Sequence, residues 1–167
     1  VDFSDSWSDV SYFQVKVCSS SNQSGVLKDW TTVVSGIDNV SYVTDWSLPS
    51  TVWSVMQEGT NYVSVRAYDA LSNNSDKSDV FYVKKDVSAP GITDNQTGDD
   101  TWRNAGGTLY NIDFSDTGGS LLNYVQYTIW SSTGQTGTNL KIWTDIVVGI
   151  NANSYTTDWQ IDFASCA

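Results

Sequence analysis

Histidine is absent from the 167 residues, which removes both the imidazole base and the commonest side-chain ligand for transition metals. Serine is abundant, yet none stands in a Gly-x-Ser-x-Gly elbow or beside a base. Paired carboxylates are the remaining acid–base option: Asp2 with Asp5, Asp99 with Asp100, and Asp113 with Asp116. The first and last of these pairs are copies of one another, and residues that recur along an array usually have structural tasks. No catalytic residue is assigned, and the chain is read as a non-enzyme.

Hard-cation binding is a better use for these oxygens, since calcium takes six to eight oxygen ligands that loop Asp, Asn and carbonyl groups supply. Asp69, Asn73 and Asp76 crowd one segment, while Asp86, Asp94, Asp99 and Asp100 crowd another near the middle of the chain. Neither follows the Asp-x-Asp-x-Asp-Gly spacing of an EF-hand. The competing reading is that these side chains bond their own backbone as Asx-turns. A calcium ion at the second cluster would stiffen a junction between domains.

Aromatic residues are the third candidate chemistry. Of eight tryptophans, Trp30/Trp143 and Trp46/Trp159 recur with the repeat described below, which suggests core anchors. Trp7, Trp102 and Trp130 have no counterpart and are candidates for stacking on a sugar ring or filling a neighbour's pocket. Alternation after Ile129 points Trp130 outward, at the position that Cys18 holds in the other repeat. Asn22, Asn39, Asn73 and Asn95 begin glycosylation-type triplets, a pattern that chance also produces in a chain so rich in Asn, Ser and Thr. Cys18 and Cys166 fall at non-equivalent places, so a disulfide between them is not expected and each reads as a small hydrophobe.

These residues sit in an acidic, strand-prone composition. Nineteen acidic against eight basic residues give a net charge of -11, which repels nucleic acid and anionic lipid. Many Val, Thr and aromatic residues favour strands. No run approaches the roughly 18 apolar residues needed to span a bilayer, so no membrane insertion is expected within this segment.

A long internal repeat organises the chain. Val1-Asp2-Phe3-Ser4-Asp5 returns as Ile112-Asp113-Phe114-Ser115-Asp116, and Tyr12-Phe13-Gln14 returns as Tyr124-Val125-Gln126. Leu27 to Trp46 returns as Leu140 to Trp159, with twelve of the twenty positions identical. The offset thus drifts only from 111 to 113, with the extra residues in Ser-rich connections. A repeat of this length is the size of one β-sandwich and far longer than a solenoid unit. Phe13, Val15 and Val17 alternate with Gln14 and Lys16, and Val63 and Val65 alternate likewise, so these five should face a core. Tyr62–Ala67 and Asp79–Lys84 read as a hairpin around Asp69–Ser78, Thr31–Ile37 and Tyr42–Trp46 as shorter strands, and Pro49–Gln57 as a helical turn. The expected class is all-β, tandem immunoglobulin-like antiparallel β-sandwiches. Residues 1–86 should be a repeat lacking its first strand, and 87–167 a second repeat truncated before its last hairpin. The full protein is expected to continue on both sides.

Tyr62 to Ser75, then Phe81 to Asp86 and Ala89-Pro90-Gly91-Ile92-Thr93-Asp94, resemble the closing hairpin and linker of bacterial immunoglobulin-like (fibronectin type III-like) repeats of large extracellular surface proteins. The resemblance implies stacked sandwiches outside the cell or on its surface. The expected function is a structural repeat of a filament, stalk or giant adhesin whose partner is itself, as a head-to-tail homopolymer or as neighbouring repeats. Strand donation between subunits would cover the open edge of the first repeat. The rivals are a module that binds glycans or another ligand, and an accessory domain of a secreted hydrolase.

Overall fold

A computed structural model describes residues 1–97 and 101–163. The chain folds as two compact units, Val1–Asp86 and Val87–Ala167. Both are built of antiparallel strands with almost no helix.

The first unit contains β1 (Phe3–Ser4), β2 (Val10–Ser20), β3 (Ser24–Asn39), β4 (Ser41–Tyr42), α1 (Ser50–Trp53), β5 (Gly59–Asp69) and β6 (Asn74–Lys85). Four strands form one sheet in the order β3-β2-β5-β6, and β1 pairs with β4 in a second, smaller layer. Alternation along β2 and β5 sets the faces: Phe13, Val15, Val17 and Val63 are fully buried and Val65 nearly so. Phe3 stacks on Phe13 at 4.5 Å between ring centroids, and Trp46 closes over Phe13 at 5.1 Å and Phe81 at 6.0 Å. The core is thus shared between the large sheet, the β1–β4 pair and Val52 of α1.

Pro49 precedes α1 with φ -57°, which its ring favours. The chain leaving α1 is held by Asn61, whose side chain is wholly buried. It donates to Gln57 O at 2.8 Å and Gly59 O at 3.1 Å, and accepts from Gln57 N at 3.1 Å. A buried amide so fully bonded costs little and fixes the loop on the sheet.

The opposite face of the four-stranded sheet carries Tyr12, Gln14, Lys16, Arg66 and Tyr68. Tyr12 and Tyr68 stack at 4.5 Å, and the Arg66 guanidinium lies 4.0 Å over Trp30. Trp30 is therefore a platform on this outer face, not a core anchor as its recurrence suggests. Two further expectations change. The strand foreseen over Tyr42–Trp46 ends at Tyr42, and the β5–β6 turn is confined to residues 70–73. Asp69 tightens that turn through bonds that strand alternation does not reveal.

The second unit contains β7 (Gly91–Asp94), β8 (Leu109–Tyr110), β9 (Ile112–Ser115), β10 (Leu122–Ser132), β11 (Thr136–Ala152), β12 (Ser154–Tyr155) and β13 (Trp159–Gln160). β10 pairs with β11, β9 lies between β12 and β7, and β8 pairs with β13. Phe114, Leu122 and Val125 form its core, with Ile146, Val147, Ile150 and Tyr155 around them.

The sequence repeat is reproduced bond by bond. Tyr12↔Ser35, Phe13↔Val34, Gln14↔Thr32 and Val17↔Lys28 in β2–β3 correspond to Tyr124↔Val148, Val125↔Val147, Gln126↔Asp145 and Ile129↔Lys141 in β10–β11. Phe3↔Tyr42 corresponds to Phe114↔Tyr155. The left-handed backbone positions recur as well: Gly25 and Gly137 have φ 64° and 77°, Asp38 and Asn151 have 45° and 49°, and Asp9 and Leu121 have 59° and 68°. Such conformations are costly for non-glycine residues, so their recurrence reflects one shared backbone path.

Candidate functional site

The densest polar cluster of the first unit lies where β5 ends. The Asp69 side chain is buried and accepts from Leu71 N at 2.9 Å, Asn73 N at 2.7 Å and Asn73 Nδ2 at 2.7 Å. Ser8 Oγ stands 2.7 Å from Asp69 Oδ2 and 3.1 Å from Asp5 Oδ2, and its single proton serves the shorter contact. Asp5 accepts from Trp7 N and Ser8 N as well. The donors from Asn73 and Ser8 hold the Asp69 carboxyl below its ordinary range, and the Trp7 and Ser8 amides do the same for Asp5. These are the marks of carboxylates that organise loops.

The candidate calcium ligands divide accordingly. Asp69 and Asn73 come together, but as acceptor and donor to one another. Asp76 is elsewhere: it lies on β6 opposite Arg66 and accepts from Gln23 Nε2 at 3.2 Å. Asp94 accepts from Gln96 N at 2.8 Å, an Asx-turn. Asp86 is the last residue of the first unit. Asp99 and Asp100 lie outside the described residues. Among the described residues no group of three or more His, Cys, Asp or Glu side chains is arranged to hold a metal ion.

The recurring carboxylates have matching tasks. Asp5 N donates to Val40 O at 2.9 Å, and Asp116 N donates to Asn153 O at 2.8 Å. Asp116 accepts from Gly118 N and Ser120 Oγ, as Asp5 does from the Trp7 and Ser8 amides. The repeated Asp-Phe-Ser-Asp motif thus supplies one core ring and one loop-capping carboxylate per unit.

The three candidate contact tryptophans separate. Trp7 is 96% exposed and Trp102 is 99% exposed. Trp130 is half-buried and its indole N–H is covered. The ladder shifts register between Ile129 and Trp130, as it does between Val17 and Cys18, and in each case the added residue lies on the partner strand, at Leu140 in β11 and Leu27 in β3. Cys18 itself is buried as a free thiol, and that burial pushes its ionisation upward. Cys166 lies outside the described residues.

Alongside β1 the structure places a feature that residue types did not announce. Two hollows of about 200 and 220 Å³ run end to end beside Phe3 and Ser4. One extends from Val1 and Asp2 to Lys77, and the other reaches Val10, Asp69 and Asn73. Ser4, Ala67 and Ser75 line both hollows. The signal was available in the repeat, because it is the second unit that shows a strand, β7, at the corresponding edge of β9.

No helix among the described residues is long and apolar enough to cross a membrane. Comparison with protein-family models, with curated proteins and with solved structures finds no match for this chain.

Proposed function

We propose that the chain is a non-catalytic structural repeat of an extracellular or cell-surface bacterial protein, built from immunoglobulin-like sandwiches that act as spacers in a filament, stalk or giant adhesin. The observation that carries this reading is the recurrence of one backbone path, in register and in left-handed positions, across the two units. Strand order supports the sandwich reading. The first unit has a four-stranded β3-β2-β5-β6 sheet facing a β1–β4 pair, and the second has a β12-β9-β7 sheet beside a β10–β11 hairpin. The repeat superposes β1, β2, β3 and β4 on β9, β10, β11 and β12, while β5 and β6 are particular to the first unit and β7, β8 and β13 to the second. The carboxylates bonded to their own loops support a structural reading over an acid–base one. Immunogold labelling of the producing cells with antibody to this chain tests the proposal. Label along surface appendages is expected, and label confined to the cytoplasm would overturn it.

An adhesive role is the second reading, favoured by the nearly complete exposure of Trp7 and Trp102. A flat indole in water is suited to stack on a sugar ring. Glycan-array binding that disappears in Trp7→Ala or Trp102→Ala would select it.

A further inference from the structure

We propose that the loop end of the first unit, at Trp7, Val40 and Leu71, docks onto an apolar stripe flanked by basic side chains on a partner protein. The inference rests on the adhesive reading of Trp7 above and names a protein, not a sugar, as the ligand. Three loops build this end, β1–β2, β3–β4 and β5–β6, and each holds an apolar side chain in water. Trp7 is 96% exposed, Leu71 75% and Val40 54%.

Bonds between the loops bring these residues together. Asp5 N donates to Val40 O at 2.9 Å, and Ala70 N donates to Ser8 O at 3.3 Å and to Asp9 O at 3.2 Å. Ser8 Oγ donates to the Asp69 carboxylate at 2.7 Å, and Leu71 N donates to it at 2.9 Å. Trp7 and Leu71 thus each adjoin a residue of the bond that joins their two loops, and Val40 accepts from the loop that carries Trp7. Loops braced in this way have little freedom left to lose on binding.

The brace itself does not call for apolar tips. In the second unit Asp116 N donates to Asn153 O, and Asp116 accepts from Gly118 N, as Asp5 bonds with Val40 and Trp7. Asparagine and glycine therefore serve where the first unit has valine and tryptophan. Elsewhere in the first unit aromatic rings cover one another or a cation: Tyr12 stacks on Tyr68, Trp46 closes over Phe13, and Trp30 lies under Arg66. The Trp7 indole covers nothing of its own chain, so its burial falls to a partner.

Composition and charge choose that partner. An indole beside aliphatic side chains has the makeup of an interface centre. Residues 5–9, 38–41 and 69–74 include Asp5, Asp9, Asp38 and Asp69 and neither lysine nor arginine. Such an end attracts a basic rim and repels an acidic protein or an anionic lipid surface. A sugar stacked on the indole would leave Val40 and Leu71 in water.

Calorimetric titration of the 167-residue chain at about 0.15 M salt, which screens the general attraction of an acidic protein for cations, tests this. The probes are an amphipathic helical peptide of leucine and lysine and a leucine–glutamate peptide of the same pattern. The lysine peptide is expected to bind, and Trp7→Ser and Leu71→Ser, which leave the charge unchanged, should each weaken it about tenfold. Tyr82→Ser, which removes an exposed ring opposite Tyr62 on β6, should not. Melting temperatures equal to that of the parent chain show that the variants keep the fold. Equal affinity for the two peptides would overturn the proposal, as would binding that Trp7→Ser leaves unaltered. Phosphatidylcholine vesicles and an array of neutral glycans separate the other ligands. Binding to either that disappears in Trp7→Ser, with none to the lysine peptide, would refute a protein partner and leave the adhesive reading standing. Absence of every Trp7-dependent ligand would end both.

Discussion

Asp69 shows how an acidic side chain in a loop becomes a structural part. Its two oxygens receive Leu71 N, Asn73 N, Asn73 Nδ2 and the Ser8 hydroxyl, so the ionised form is the one the fold prefers. Its pKa is depressed from the ordinary 3.8, first by the Asn73 side chain and then by Ser8. A depressed folded-state value gives stability that is present in full above the unfolded pKa and lost as pH falls through the lowered one. Asp5, depressed by the Trp7 and Ser8 amides, adds to the same limb. The melting temperature of the chain is therefore expected to hold from neutrality to about pH 4 and then to drop. Asp69→Asn should lower it at neutral pH by several degrees and flatten the acid limb, with Asp76→Asn as the near-silent comparison; calorimetry across pH reads both. The same bonding sets the expectation for calcium: carboxylate oxygens already occupied by four donors have little left for a cation, so chelator and millimolar calcium should give the first unit equal melting temperatures.

At the scale of elements, what was legible in the sequence followed from periodicity and repetition. Phe13, Val15, Val17, Val63 and Val65 are buried because a period of two leaves no other register with an apolar core. Recurrence misplaced Trp30, which turns to the outer face, where Arg66 covers its ring. No residue type near Trp30 announces that contact, since its Arg66 partner lies 36 positions further along the chain. The hollows beside β1 were legible only by comparing repeats, since they are formed by what neighbours Phe3 and not by any chemical group. Two substitutions test the element-level account. Phe13→Ala should cost about 3–5 kcal/mol by chemical denaturation, because a fully buried ring shared by β1, β4 and Trp46 leaves a cavity. Gly25→Ala and Gly137→Ala should each cost about 1–2 kcal/mol for their left-handed φ, and each added methyl displaces a serine hydroxyl, Ser19 in one hairpin and Ser131 in the other. Equal losses at these two positions are the expected outcome, since the hairpins share one path.

At the largest scale, the strand pairings among the described residues differ between the two units, and the difference sets an expectation for amide exchange. β2 is paired on both sides, with β3 and with β5. Its counterpart β10 is paired, among the described residues, with β11 alone. The free side of β10 is eleven residues long and carries no charge, whereas the edge strand β6 bears Asp76, Lys77, Asp79, Lys84 and Lys85. Charges on an edge discourage further pairing, and a long uncharged edge invites it. Amides of β10 that point away from β11 have no ladder partner to break before they exchange, so local fluctuations suffice to expose them. Their equivalents in β2 are released only when β5 separates from β2, which requires the core around Phe13, Val15 and Val63 to open. Hydrogen exchange of the chain should therefore show slow amides at every bonded position along β2 but an alternation of slow and fast amides along β10, the fast set exceeding its β2 counterparts by several orders of magnitude. Uniform protection along β10 would mean that a second strand lies against that edge in solution. Uniformly rapid exchange would mean that the hairpin does not stand without one.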